Sequence, residues 1–143
     1  MVTPSTLIGR PVHEIDTPAL LVDLDTLERN IARMRRVIID ECGVGWRPHT
    51  KGIKVPALAH RLLQAGARGI TCAKLGEAEV MAAAGIRDIL IANEVVGPAK
   101  IARLVNLPRH ADVIVAVDDE EQVEALAAVT SAAGTSSSRS TSR

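Results

Sequence analysis

Short apolar runs and amphipathic segments alternate through the middle of this chain at a spacing that leaves few folds open. The segment "VPALAHRLLQAG" (55–66) leads to "GITCAK" (69–74), and "GEAEVMAAAG" (76–85) leads to "DILIAN" (88–93). "PAKIARLVNL" (98–107) then leads to "DVIVAVD" (112–118), and "DEEQVEALAAVTSAAG" (119–134) follows. The runs of six or seven residues have strand length and composition, and the longer segments between them have helical period. Gly66 and Gly85 stand where helix C-caps are wanted, and Pro56 and Pro98 stand at helix starts. Strands that alternate with helices in this way form βαβ units, so the pattern predicts an α/β fold on a parallel sheet. No sequence repeat accompanies the structural one.

The flanks differ in kind. After an irregular start with Pro4, Pro11 and Pro18, "ALLVDLD" (19–25) reads as a further strand, with Asp25 or Thr26 capping the helix behind it. That helix, "TLERNIARMRRVIIDE", sets Leu27, Ile31, Met34 and Ile38 three or four residues apart, and Gly43 and Gly45 break it. "GWRPHTK" follows as a short extended piece. At the other end, "SAAGTSSSRSTSR" (131–143) has no apolar residue beyond Ala133, so a disordered tail is expected there, behind one domain over 1–130.

Composition excludes several classes of function. Seventeen basic residues balance seventeen acidic ones, Phe and Tyr are absent and Trp46 is alone, which leaves neither a basic stripe nor stacking faces for nucleic acid. No apolar stretch approaches the ~20 residues of a spanning helix, and the N-terminus lacks the pattern of a signal peptide, so a cytoplasmic protein without a membrane or nucleic-acid partner is expected. Cys42 and Cys72 form no ligand-spaced cluster with histidine, and no metal site is predicted.

In parallel α/β sheets functional groups collect where strands end and helices begin. Those positions here hold His49, Thr50 and Lys51, then Lys74 with Glu77, Asn93 with Glu94, and Asp118 with Asp119. Blander roles compete at each. Asp118 and Asp119 suit a helix cap, Lys74 and Glu77 a surface ion pair, and Asn93 a turn. His13, His60 and His110 are scattered and carry no assignment, and "HTKGIK" lacks the spacing of a phosphate-cradling loop. Position therefore marks one face of the molecule and stops there.

Four segments in order, "DTPALLVDLDTLERNIARM" (16–34), "RPHTK" (47–51), "CAKLGEAEV" (72–80) and "DILIANEVVG" (88–97), resemble the N-terminal part of the D-threonine aldolase and D-serine dehydratase-like enzymes. These are pyridoxal-phosphate enzymes whose N-terminal domain is a (β/α)8 barrel of the alanine racemase type. The resemblance implies a partial TIM barrel of about four βα units here. It implies Lys51 as the catalytic Schiff-base lysine, because the family's cofactor lysine follows "R-P-H-x", with Arg47, His49 and Asn93 beside the cofactor. It also implies a D-amino acid substrate, lyase chemistry of the aldolase or dehydratase kind, and a possible homodimer. Where the family commonly continues "K-T-H-K" this chain has "KGIK", so Gly52 and Ile53 replace a hydroxyl and an imidazole.

A whole barrel takes ~250 residues, against 143 here. The resemblance therefore implies the front portion of such an enzyme, a truncated and inactive form being one expectation. The family's divalent-metal ligands are expected outside this chain. The abrupt change near Ala133 suggests a frameshift or premature end. The alternatives are a pyridoxal-phosphate-binding module without catalysis and an inactive half-barrel fragment.

Overall fold

The computed structural model describes residues 7–132. Its scaffold is a three-stranded parallel sheet in the order β1 (Ile70–Cys72), β2 (Asp88–Glu94), β3 (Asp112–Ala116). Each strand is followed by a helix: α3 (Leu75–Ala83), α4 (Pro98–Asn106) and α5 (Glu120–Ala132), while α1 (Leu24–Arg35) and α2 (Pro56–Gln64) precede the sheet. "GWRPHTK" acts as a fourth, irregular strand. Arg68 N–H donates to the Trp46 carbonyl (2.9 Å), Thr71 N–H donates to the Pro48 carbonyl (2.8 Å), and His49 bridges Thr71 in parallel. Four βα units in one parallel arc make the parallel α/β fold that the alternation predicts and the partial barrel that the resemblance implies.

Sequence chemistry explains the element ends. Pro56 and Pro98 open α2 and α4, where a missing N–H costs nothing. Gly66 and Gly85 follow α2 and α3 at φ +105° and +86°, a region that penalises other residues. Asp119 accepts from Glu121 N–H at 2.7 Å and so caps α5. Ser131 and Ala132, assigned by sequence to a tail, lie in α5, and residues 133–143 of that tail lie outside the described residues.

The expected strand at 19–25 does not form. Residues 19–23 pair with nothing described, Leu20 is 102% exposed, and Leu21 and Val22 are exposed beside it. An apolar run becomes a strand only where a neighbour takes its backbone groups, and here the run is cut short by α1 starting at Leu24. The cap is Asp23 rather than Asp25 or Thr26: its carboxylate accepts from Thr26 N–H at 2.7 Å, and Thr26 is the donor. The helix then widens into a π-helical stretch over Arg36–Glu41, with Cys42 N–H reaching back to the Val37 carbonyl, before Gly43 (φ +67°) ends it.

The main core lies between the sheet and its helices. Ile70, Cys72, Ile89 and Ile91 point to that side and bury against Ala78, Met81 and Leu104. Trp46 closes a second cluster with Ile31 and Ala67, which seats α1 on the irregular strand. The opposite face is less covered: across the register Thr71–Leu90–Ile114, exposure rises to 52% at Ile114. No described helix is long and apolar enough to cross a membrane.

Candidate functional site

The carboxyl ends of the strands bring most of the predicted polar residues to one rim, and Lys51 sits on it. Thr50, Lys51 and Gly52 form one tight helical turn directly after the His49–Thr71 bridge. Lys51 is exposed, and among the described residues no lysine makes an ion pair, so its amine is uncommitted. The His49 ring caps the turn, its Nδ1 accepting from Lys51 N–H at 3.1 Å. An accepting Nδ1 carries no proton, which leaves Nε2 as the ring's donor.

Beneath Lys51 lies a polar network that sequence position alone misjudges. Thr50 is fully buried; its Oγ1 lies 2.6 Å from Glu77 Oε1, 3.0 Å from the Thr71 carbonyl and 3.6 Å from Cys72 Sγ. Glu77, only 8% exposed, accepts from Ala73 N–H at its other oxygen (2.9 Å). The surface ion pair read for Lys74 and Glu77 is therefore absent: the carboxylate turns inward, where a hydroxyl and an amide satisfy it. A signal existed in "KLGE", since a glutamate in the third position of a helix commonly reaches back to the N–H groups preceding it. Cys72 Sγ is pushed up to about 11, chiefly by burial, with the Thr50 hydrogen bond pulling down and the Glu77 charge adding to the rise. That sulfur is a thiol at neutral pH.

Asn93 joins the same network from the next strand. Two extra residues in β2, between Ile91 and Glu94, break the register with β3 and bend the strand end. Asn93 Nδ2 donates to the Ala73 carbonyl at 3.1 Å, and its Oδ1 accepts from Glu94 N–H at 3.0 Å. Lys51, Thr50, Glu77, Ala73 and Asn93 thus form one continuous rim. A cleft of about 300 Å³ opens beside it between Lys74, Asn93, Glu94 and Arg103. A second, of about 430 Å³, lies further round between Val96, Gly97, Asp118 and Gln122. Lys51 lines neither cleft.

Arg47 stands apart. Its guanidinium makes a two-pronged pair with Asp88, Nη1 to Oδ1 at 2.5 Å and Nη2 to Oδ2 at 3.0 Å, at the amino end of β2. Arg47 and Lys51 stand at opposite ends of the irregular strand, and the matched carboxylate of Asp88 holds Arg47 at the amino rim. His60 is likewise occupied, with Nε2 2.9 Å from the Ala84 carbonyl. Among the described residues no three His, Cys, Asp or Glu side chains are grouped to hold a metal ion.

Comparison with known proteins gives the arrangement a context. The family described as "Alanine racemase, N-terminal domain" matches residues 22–138. The chain is 47% identical over 116 residues to a D-threonine aldolase of Arthrobacter sp, covering 81% of this chain and 30% of that one. Its structure resembles that of D-threonine aldolase from Filomicrobium marinum, with a TM-score of 0.82, 46% identity, and 86% and 33% of the two chains covered. D-threo-3-hydroxyaspartate dehydratase from Delftia sp. HT23 follows with a TM-score of 0.76, 39% identity, and 85% and 32% covered. The chain spans about a third of the length of these relatives.

Proposed function

The chain belongs to the alanine racemase N-terminal domain family, and from that premise we propose that it is the front portion of a pyridoxal-phosphate-dependent lyase acting on D-3-hydroxy amino acids, with Lys51 as the lysine that takes up the cofactor. The observation that supports this most directly is the Lys51 turn: an exposed, unpaired amine on the carboxyl rim of a parallel barrel arc, directly after the first strand-like segment. The residues present fit an aldehyde cofactor. Lys51 supplies the amine, His49 offers Nε2–H as a donor beside it, and the rim from Thr50 to Asn93 holds the turn against the sheet.

Pyridoxal phosphate, when bound, draws electrons from the bonds at the substrate Cα and so weakens them. The chain's own residues orient what is bound. Asn93 works as a strut between the end of β1 and β2, its Nδ2 and its Oδ1 each holding one hydrogen bond. Arg47 serves the other rim through Asp88, which weighs against a place beside the cofactor. In a nucleophilic lysine the neutral amine attacks, and nearby cations favour that form.

The test is to incubate the chain with pyridoxal phosphate, reduce with borohydride and map the product. The amine nitrogen displaces the aldehyde oxygen as water, and hydride adds to the carbon to leave a stable secondary amine. Modification concentrated on Lys51 rather than Lys54, Lys74 or Lys100 is expected; an even spread, or none, refutes the assignment. Release of glycine and an aldehyde from a D-3-hydroxy amino acid identifies an aldolase, and release of ammonia and an oxo acid a dehydratase. A second reading, a cofactor-binding or inactive half-barrel, is favoured by the open flank of the sheet at Ile114. Selective modification without turnover supports it.

A further inference from the structure

The turn that carries Lys51 is anchored more firmly than an exposed loop requires. Thr50, its first residue, is fully buried, and its carbonyl accepts from both Ile53 N–H (3.0 Å) and Lys54 N–H (2.8 Å). Lys54, at the far side of the turn, holds φ +47°, a conformation unfavourable for a residue with a Cβ. Such a backbone persists only where its surroundings over-determine it. What holds it here leads back to Thr50 and, through the Thr50 hydroxyl, to Glu77.

The proton count of the network is informative. The Thr50 hydroxyl has one proton and two oxygen acceptors, Glu77 Oε1 at 2.6 Å and the Thr71 carbonyl at 3.0 Å. The shorter bond and the carboxylate's charge direct the proton to Glu77. Glu77 Oε2 meanwhile takes the Ala73 N–H at 2.9 Å, so one carboxylate ties the Lys51 turn to the end of β1. The Cys72 thiol, 3.6 Å from Thr50 Oγ1, faces the same hydroxyl from below. A buried carboxylate is costly unless its lone pairs are met, and here the groups that meet it are the ones that would aim the lysine.

We propose that Thr50 and Glu77 form a buried clamp that fixes the direction in which the turn presents the Lys51 amine. They are positioning residues, acting through Lys51. The assignment rests on the reading of Lys51 as the cofactor lysine, but the clamp itself is measurable without cofactor.

Conservative and disruptive substitutions separate a clamp from a mere core contact. In Glu77→Gln the amide nitrogen can donate to Thr50 Oγ1, the freed hydroxyl proton turns to the Thr71 carbonyl, and the Gln oxygen keeps Ala73 N–H. The network closes with one bond reversed. Thr50→Ser keeps the hydroxyl. Thr50→Val and Glu77→Leu break the link. In the full 143-residue chain, hydrogen exchange at the Ile53 and Lys54 amides is expected to quicken about tenfold or more in Thr50→Val and Glu77→Leu. It is expected to stay within about twofold of the parent in Thr50→Ser and Glu77→Gln. After pyridoxal phosphate and borohydride, the ratio of Lys51 to Lys54 modification is expected to fall toward one in the two disruptive variants.

Parent-like exchange in Thr50→Val and Glu77→Leu overturns the proposal. Wholesale loss of helical circular dichroism in both does so too, since it assigns the pair to general core stability. If the unsubstituted chain shows no preference for Lys51, the cofactor reading fails, and hydrogen exchange still decides whether the clamp holds the turn.

Discussion

Replacing Arg47 with methionine tests whether that residue belongs to the fold or to the cofactor. Methionine keeps most of the apolar stem and removes only the guanidinium. The Arg47 side chain is 15% exposed and Asp88 29%, and two hydrogen bonds join them. Exposed ion pairs contribute ~0–1 kcal/mol, while stripping one partner from a fully buried pair costs ~3–5 kcal/mol. This pair lies between those limits, and about 2 kcal/mol is expected. Arg68 offers little substitute: its Nε is 3.7 Å from Asp88 Oδ2 on a side chain 68% exposed. With a urea slope of about 1.5 kcal/mol per molar, the unfolding midpoint read by circular dichroism falls by about 1.3 M. Lys51 modification by pyridoxal phosphate, measured below the transition, is expected to persist. Asp88→Asn should lose a similar amount, and the double variant little more than either alone. A midpoint shift under ~0.3 M with loss of Lys51 modification would falsify the structural assignment and return Arg47 to the cofactor.

Gly69 offers an independent check of the same corner. A Cβ there would stand 2.5 Å from the Asp88 carbonyl oxygen and 2.6 Å from Arg47 Nη1, so Gly69→Ala must displace backbone and should lower stability by about 2 kcal/mol, seen as an earlier thermal transition. Cys72 gives a pH signature. Its thiol ionises near 11 in the folded chain against 9.0 ordinarily, so the folded state holds its proton more tightly. The stability this supplies is present below pH 9 and lost as the pH rises toward 11. At pH 8 a thiol reagent should label exposed Cys42 and spare Cys72, and equal labelling would contradict the burial that causes the shift.

Much of the architecture could be read from the chain because its signals are local. Every helix from α2 onward begins and ends within a few residues of where proline, glycine and apolar period put it; β1 and β3 fall inside the predicted runs, and β2 passes the end of its run by one residue, Glu94. Periodicity and capping act over one or two turns, so they survive without knowledge of neighbours. The "RPHTK" motif likewise put Lys51 at a strand end, and it stands on the carboxyl rim. What failed were inferences that depend on partners. "ALLVDLD" has strand composition, but among the described residues no edge receives it.

Charged side chains show the same division. The helix start in "KLGE" points Glu77 back toward the amides before it, but nothing local supplies the Thr50 hydroxyl that it meets, or the Asp88 carboxylate that Arg47 meets. Each goes where a matched hydrogen-bonding group waits across the fold, 27 residues away for Thr50 and Glu77 and 41 for Arg47 and Asp88. Sequence alone determined the order of the βα elements and the rim on which the Lys51 amine stands. Tertiary structure decided which polar groups are buried beneath that amine, because burying a charge is tolerated only where distant segments supply its partners.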